Sequence, residues 1–507
     1  MKLFHELKVL VAPLLAIALC GCTVGPKYNK PAAIAPTAPN YRGATTDLLE
    51  GQVWKVASPS DQMLRGKWWE IFQEPELNGL EDQLNIDNQN IKFFFENFMV
   101  ARAIIREARS QYYPTVTVGA GVTRTRSSAS ITNNGATGGT NTGASQFSQF
   151  TTPLDVSWAP DLFGRVRNQV RSQQAAAQVS EADLENERLL EQATLAETYF
   201  QIRGQDVLQQ ILDETVKTDQ ELLDLAQARY DVGTDTLVSV EEARQTLEAA
   251  RASATAIAIL RTQYEHAIAT LLGKPATDFT LPARALTAVP PPIPTGTPSQ
   301  LLERRPDIAG AERQMAEANA LIGVGYAAYY PTVTLSASGG FSSNGIGKLF
   351  TAPSRVWSVG ASVSETVYDG GLRRATIDQY IATYNANVAN YRQVVLNAFQ
   401  QVEDYLSETT LLSEEIIHQE ASTDAAGRAF ELERVRYETG LDPYLNLLTT
   451  QNTLLTARQT LANLKIQQMS SAVLLIEALG GGWDSSQLPN AQQVTEKAPP
   501  DQRSIQQ

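Results

Sequence analysis

Two nearly identical seven-residue segments lie far apart in this chain. Residues 112–118 read Tyr-Tyr-Pro-Thr-Val-Thr-Val, and residues 329–335 read Tyr-Tyr-Pro-Thr-Val-Thr-Leu. The similarity continues downstream, where Arg-Tyr-Asp-Val-Gly at 229–233 is matched by Arg-Tyr-Glu-Thr-Gly at 436–440. A spacing of roughly 210 residues is far longer than any solenoid repeat. The chain therefore carries two copies of a large supersecondary unit, and whatever it builds has internal pseudo-symmetry.

The N-terminus has the features of an export signal. A short basic start precedes an apolar run at 9–19, which is too short to span a bilayer permanently. Leu-Cys-Gly-Cys at 19–22 resembles the processing site of bacterial lipoproteins. We therefore predict a signal peptide at 1–21 and lipidation of Cys22, and Thr23 after it implies sorting to the outer membrane. The alternative is an ordinary cleaved signal with an incidental cysteine.

Charge and reactive residues argue against several classes of protein. Asp and Glu number 55 and Lys and Arg 41, so the formal net charge is −14, which disfavours nucleic acid as a partner. Both cysteines lie in the N-terminal signal region, which leaves no disulfide or cysteine metal site in the processed chain. His266 and His418 lie on predicted helices and have no partner at metal-ligand spacing. We predict no catalytic residue, no metal site and no cofactor.

Changes of hydrophobic period divide each copy into helix, strands and helices. Alternation of Val116, Val118 and Val122 with small or polar residues predicts a strand with two different faces. Sequence rich in Ala, Glu, Gln and Leu then predicts a helix about 100 Å long, followed by a returning helix with heptad spacing. The sequence thus predicts a signal peptide at 1–21 and a lipidated extended arm at 22–75.

Repeat 1 is predicted at 76–281. It has a helix to about 112, a β-hairpin at 114–160 that includes a mobile polar loop, and a helical hairpin at 165–272. A Pro-rich linker at 282–298 leads to repeat 2 at 299–482, which has a helix at 306–328, a β-hairpin at 331–368 and a helical hairpin at 371–480. A polar, poorly ordered tail follows at 483–507.

These segments predict an oligomer. After the signal, no run of 18 apolar residues predicts a transmembrane helix, and a membrane-spanning β-barrel remains open. Two hairpins supply four strands per chain, which cannot close a barrel, and an open sheet edge is not tolerated in lipid. Three chains would supply twelve strands and six helical hairpins, so we predict an α+β membrane protein with a trimeric β-barrel continuous with a helical coiled-coil barrel. The alternatives are a half-buried soluble sheet and a periplasmic coiled-coil scaffold without a pore.

Several motifs of the chain are shared with a known family. They are 22–28 (CTVGPKY), 68–72 (WWEIF), 301–308 (LLERRPDI), both Tyr-Tyr-Pro elements, Tyr437 and Gly440. In these motifs the chain resembles TolC-like outer-membrane factors of the NodT/OprM subgroup, and the resemblance covers essentially all of the mature sequence. It implies a homotrimeric exit duct in the outer membrane, with a mixed equatorial region and no catalysis. It also implies that the duct receives substrate from a periplasmic adaptor and an inner-membrane pump of the resistance-nodulation-division (RND) type.

The family resemblance also assigns a role to the turns between long and returning helices. It implies that these tips pack together to close the tube and contact the adaptor, whereas the plain alternative is helix capping. Relatives often carry carboxylates six and nine residues after the tip glycine, but here the second copy has Asn446 and Thr449, and the first copy has Ser239 at the sixth position. Closure would then depend on Tyr437, Asp235 and Asp442 with packing of Leu445 and Leu448, and the unlike tips predict a threefold gate. The gate and adaptor-contact residues expected are Arg229, Tyr230, Gly233, Asp235, Arg436, Tyr437, Gly440, Asp442, Leu445, Asn446 and Thr449.

The cargo is the least constrained property. The pump selects the substrate in systems of this kind, and the chain has only five methionines and no His-rich segment that would indicate copper or silver. We therefore predict efflux of small molecules such as drugs. Metal-cation efflux and type I secretion are the alternatives within the export class.

Overall fold

A computed structural model describes residues 23–33, 66–126, 133–134, 140–141, 146–286, 288–291, 293 and 304–496. Cys22, the signal peptide and the centre of the N-terminal arm lie outside the described residues, as does much of the predicted loop before 146. No helix in these ranges has an apolar stretch long enough to cross a lipid bilayer.

The first repeat begins with two helices where the sequence predicted one. Helix α1 spans Pro75–Asp87 and α2 spans Gln89–Ser110. They are separated at Asn88, whose side-chain oxygen accepts hydrogen bonds from the backbone N–H groups of Asn90 (2.8 Å) and Ile91 (3.0 Å). The backbone of Asn88 is extended, which ends α1, and its side chain satisfies donors that the next helix leaves unpaired, so α2 begins at Gln89.

Strands from both repeats form one antiparallel sheet. The described strands are β1 (Thr115–Val118), β2 (Gly121–Arg126), β3 (Asn133–Asn134), β4 (Thr140–Asn141), β5 (Gln146–Trp158), β6 (Thr332–Ser343) and β7 (Arg355–Ser364). The order in the sheet is β1-β5-β6-β7, with β2 also pairing along β5. The two repeats join where β5 pairs with β6, from Phe150–Ser343 to Trp158–Leu335. A separate pair, β3 with β4, lies between β2 and β5 in the sequence.

Substitution of Gly340 is expected to disturb this sheet. A Cβ at Gly340 would lie 2.2 Å from the carbonyl oxygen of Thr152 and 3.0 Å from Cα of Pro153, so backbone would have to move. Overpacking of this kind costs roughly 1–3 kcal/mol. Gly340→Ala should therefore lower the yield of heat-resistant trimer on gels. Gly339→Ala is the matched control because nothing lies within 4 Å of its Cβ position, and equal yields from the two variants would contradict the prediction.

Two long helical hairpins form most of the molecule. Helix α3 (Arg165–Asp231) is followed by α4 (Leu237–Leu271), and α6 (Leu372–Glu438) by α7 (Tyr444–Ala478). Both long helices have 67 residues, which corresponds to about 100 Å. Helix α5 (Pro306–Ala327) leads into the second set of strands, as α2 leads into the first.

Each long helix ends in the same glycine-dependent turn. Gly233 (φ 79°) and Gly440 (φ 77°) adopt the left-handed conformation. The N–H of the following residue bonds back to the carbonyl of Arg229 (2.9 Å) or Arg436 (2.8 Å), as in a Schellman motif. The capping predicted for both tips is thus present, and it reverses the chain within a few residues.

The largest hydrophobic core lies part-way along the long helices. It joins the turn Trp68–Phe72, helix α1 and the segments around Leu281 and Ile293 to helices α3 to α7. Trp68 is fully buried, stands edge-on to Trp69 at 5.8 Å and donates its indole N–H to Gln192 Oε1 (3.2 Å). This collar of segments supports the long helices between the strands and the tips.

The C-terminal segment is more ordered than its composition predicted. The expectation of a poorly ordered tail is wrong for residues 483–496. Val494 is buried in a cluster with Phe98 and Ile105. The side chain of Gln178 donates to the carbonyl of Pro489 (2.8 Å), and that of Gln174 donates to the carbonyl of Ala491 (3.0 Å). Polar side chains of α3 thus hold the tail through its backbone, an interaction that a polar composition does not reveal.

Candidate functional site

The tips of the two helical hairpins lie side by side, at the ends of the long helices farthest from the strands. Arg229 and Asp235 come from the first tip, and Tyr437 and Tyr444 come from the second. The two tyrosines belong to a small hydrophobic cluster, the tip cluster, which also includes Val240 and Leu447 and is separate from the main core. The duplication thus places one copy of each tip motif against the other within a single chain.

Tyr437 is the centre of this contact. Its ring is 1% exposed, and its hydroxyl donates to Asp235 Oδ2 (2.9 Å). The Arg229 guanidinium lies over the Tyr437 ring at 4.7 Å, donates to the Tyr437 carbonyl and approaches Asp235 with its Nε at 3.8 Å. Tyr444 meets the ring edge-on at 5.6 Å. We call Arg229, Asp235 and Tyr437 the tip triad.

The triad holds its members in fixed protonation states. Burial alone would raise the pKa of Asp235, but hydrogen bonds from Ser239, the Thr236 backbone and Tyr437, together with the Arg229 charge, lower it below the usual aspartate value. Burial and the Asp235 carboxylate raise the pKa of Tyr437. A depressed Asp pKa stabilises the folded state at higher pH and loses that effect only as pH falls through the folded pKa. The contact is therefore charged and intact at neutral and mildly acidic pH.

The other predicted tip residues do not join the triad. Arg436 instead forms an ion pair with Asp442 at the surface of its own turn. Tyr230, which occupies in the first repeat the position of Tyr437, is 40% exposed. Leu445 is 59% exposed, so its predicted apolar packing is not made within the chain, whereas Leu448 packs partly buried against the tip cluster. Asn446 and Thr449 are also exposed, and Thr449 bonds its own helix through the Leu445 carbonyl (2.8 Å).

A second group of charges, which sequence reasoning missed, lies in the collar. Arg203 on α3 is 1% exposed, and it bonds Glu76 (2.5 Å), Asp206 (3.0 Å) and the carbonyl of Pro282 (2.6 Å). Arg261 on α4 bonds the other oxygen of Asp206 (2.7 Å). The only sequence signal was the i,i+3 spacing of Arg203 and Asp206, since the remaining partners are distant in the chain.

The architecture can be compared with known proteins. Residues 88–274 and 297–481 match the family model described as outer membrane efflux protein. The chain belongs to the outer membrane efflux protein family. Toluene efflux pump outer membrane protein TtgF of Pseudomonas putida is 31% identical over 476 residues, which cover 93% of this chain and 96% of TtgF. Cation efflux system protein CusC of Escherichia coli is 26% identical over 472 residues, 92% of this chain and 97% of CusC.

A solved structure agrees with the sequence relatives. The outer-membrane channel OprN matches with a TM-score of 0.80 at 29% identity, over 91% of this chain and 100% of that chain. The predicted fold class, a trimeric outer-membrane β-barrel continuous with a periplasmic helical barrel, is confirmed. Like its relatives, the chain is an outer-membrane component of an efflux system and has a large periplasmic helical part. Members of the family are components of transport systems.

Proposed function

We propose that this chain forms, as a homotrimer, a passive exit duct that is closed at rest by its helical tips. The tip triad is the observation that carries the proposal. It joins the first hairpin to the second through the hydrogen bond from Tyr437 to Asp235 and the stacking of Arg229 on the Tyr437 ring. Among the described residues of the chain this contact forms once. The gate is therefore threefold. Opening requires the hairpins to separate, a change between two packings of one coiled coil. Catalysis has no part in this function.

The tips also offer a surface for the periplasmic adaptor that would connect the duct to an RND-type inner-membrane pump. Apolar side chains are exposed beside both turns, including Val232 (75%), Val238 (64%) and Leu441 (72%). Exposed apolar residues beside a defined turn are typical of protein contacts. We place the adaptor contact on these residues together with Tyr230, Arg436 and Leu445.

The N-terminal arm supports lipidation of Cys22. The backbone N–H of Val24 bonds the carbonyl of Phe163 (3.3 Å), and Gly164 lies so close to Thr23 that a Cβ there would meet it at 2.9 Å. Thr23 is therefore held at the start of α3, next to the end of β5, where an acyl chain on Cys22 would reach the membrane. Metabolic labelling with palmitate should mark the protein, and the label should be lost in Cys22→Ser.

The proposed cargo is a small organic molecule. TtgF is named for a toluene efflux pump and CusC for a cation efflux system, and both align with more than nine-tenths of this chain. The relatives therefore include proteins for organic cargo and for cations. The scarcity of methionine and histidine favours drugs and solvents over soft metal ions. Cation efflux is the second candidate, because the chain is strongly acidic.

Conductance measurements test the duct and its constriction together. The protein should form ion-conducting channels in planar bilayers. Asn446 and Thr449 put no carboxylate at the sixth and ninth positions after Gly440. Trivalent cations at millimolar concentration should therefore reduce the current less than about twofold, since ion block needs a focused negative potential. The variant Asn446→Asp, Thr449→Asp supplies that potential and should be blocked strongly. Absence of channels would contradict the proposal that the protein is a conducting duct. Strong block of the unmodified protein would contradict the proposal that its constriction has no acidic ring.

A further inference from the structure

A basic pocket lies where the helices meet the strands, far from the tips. It is an open pocket of about 640 Å³ that is lined by the end of α2, the beginning of α3 and the C-terminal segment 492–496. Three arginines line it: Arg109 from α2, and Arg167 and Arg171 from α3. The proposed conduction pathway does not use these residues.

A tyrosine lines the pocket together with the three arginines. Burial and the Asp161 carboxylate raise the pKa of the half-buried Tyr112, and the positive charges of Arg167, Arg171 and Arg109 oppose this shift. Arg167 is held by Asp161, with 3.1 Å between Nε and Oδ2. Arg171 makes a long hydrogen bond to Asn168 Oδ1 (3.4 Å). The pocket thus combines guanidinium N–H donors with a phenol that can also donate.

The positive charge of the pocket is only partly balanced. Asp161 and Glu496 are the acidic residues beside it. Within the described ranges, no carboxylate forms an ion pair with Arg109 or Arg171. The exposed guanidinium groups of Arg109 and Arg171 are therefore available to bind an anion in this pocket.

Three observations give the depth of the pocket in the membrane. Strand β1 begins at Thr115, five residues after α2 ends, and strand β5 ends at Trp158 just before α3 begins. The Trp158 indole donates to the Tyr112 carbonyl (2.9 Å), which places two aromatic residues at the strand ends, where barrels carry interfacial aromatic girdles. Thr23, next to the predicted lipidation site, packs at Gly164 on the same level. The pocket therefore lies at the depth of the inner-leaflet headgroups.

We propose that this pocket binds the phosphate of an anionic phospholipid headgroup in the inner leaflet of the outer membrane, one lipid per protomer. Arg109 and Arg171 bind the phosphate oxygens, and Tyr112 donates a further hydrogen bond. Arginine suits this role because its fork of N–H groups matches phosphate geometry. The bound headgroup fixes the depth and tilt of the helical barrel at the membrane surface. This assignment rests on the outer-membrane location and does not depend on the proposed gate.

Lipid binding by the intact trimer tests the proposal. Native mass spectrometry of the detergent-solubilised full-length protein, titrated with phosphatidylglycerol, should show up to three retained lipids per trimer. Phosphatidylcholine of the same chain length should be retained poorly. Arg109→Gln with Arg171→Gln should weaken phosphatidylglycerol binding by roughly tenfold or more, since each arginine near an anionic headgroup contributes to the attraction.

A matched variant controls for loss of charge. Arg106→Gln with Arg165→Gln removes two exposed arginines from the same helices at a similar depth, outside the pocket, and should leave binding unchanged. Both variants should migrate as trimers. Equal weakening of lipid binding in the two double variants, or equal retention of phosphatidylglycerol and phosphatidylcholine, would contradict the proposed lipid site. Displacement of the lipid by inorganic phosphate at comparable concentration would show that the site takes free phosphate and would overturn the lipid assignment.

Discussion

Tyr437→Phe is expected to open the channel. The substitution keeps the ring but removes the hydroxyl that bonds Asp235, and a hydrogen bond to a charged partner contributes about 1.5–3 kcal/mol. The substitution removes this bond from all three protomers of the proposed trimer, so the closed packing loses three hydrogen bonds. Single-channel conductance in planar bilayers should rise severalfold or flicker between closed and open levels, and cells carrying the variant should become more permeable to bulky antibiotics.

Tyr230→Phe is the control for this effect. Tyr230 occupies the corresponding position in the first repeat, but its ring is 40% exposed and its hydroxyl makes no bond to the triad. Its removal should leave conductance unchanged. If both variants conduct alike while both remain trimers, the tip triad does not close the duct.

Arg203→Met is expected to destabilise the collar. The Arg203 side chain is 1% exposed, and methionine would leave the buried carboxylate of Asp206 with one arginine fewer and the Pro282 carbonyl without its donor. Removing one partner of a buried ion pair costs about 3–5 kcal/mol. The heating midpoint at which trimers dissociate on gels should fall clearly below that of the unmodified protein.

Arg251→Met provides the comparison for Arg203. Arg251 lies on the returning helix α4 and, like Arg203, pairs with a carboxylate three residues away, Glu248, but its side chain is 49% exposed. Exposed pairs of this kind contribute about 0–1 kcal/mol. The dissociation midpoint should therefore barely change. A loss of stability as large as that of Arg203→Met would mean that burial of the collar charges is not what matters.

Elements with a repeating pattern could be predicted from the sequence. The alternation around Val116 repeats every two residues, and the apolar residues of the returning helices repeat every three to four. Both patterns follow from the local geometry of strands and helices, so they are visible in the sequence. The turns at Gly233 and Gly440 were equally readable, because a left-handed residue after a helix favours glycine. Asn88 was missed because one capping side chain inside a long helical pattern does not break the pattern.

Contacts between distant segments could not be predicted in this way. The family resemblance named Tyr437 for closure, but the local pattern does not distinguish the buried Tyr437 from the exposed Tyr230. Each tyrosine directly follows an arginine and lies three residues before its tip glycine. The sequence prediction also included Leu445 in the packing, although Leu445 faces away from its own chain.

By itself the sequence determined the duplicated unit, the order of its helices and strands, and the need for an assembly that closes the sheet. These follow from local periodicity and from the cost of an open strand edge in lipid. Only the tertiary structure decided which of the two similar tips buries its tyrosine, which carboxylates surround Arg203, and that Arg109 and Arg171 share one pocket. The physical reason is that burial and charge pairing depend on distances between segments far apart in the chain, and no local pattern encodes those distances.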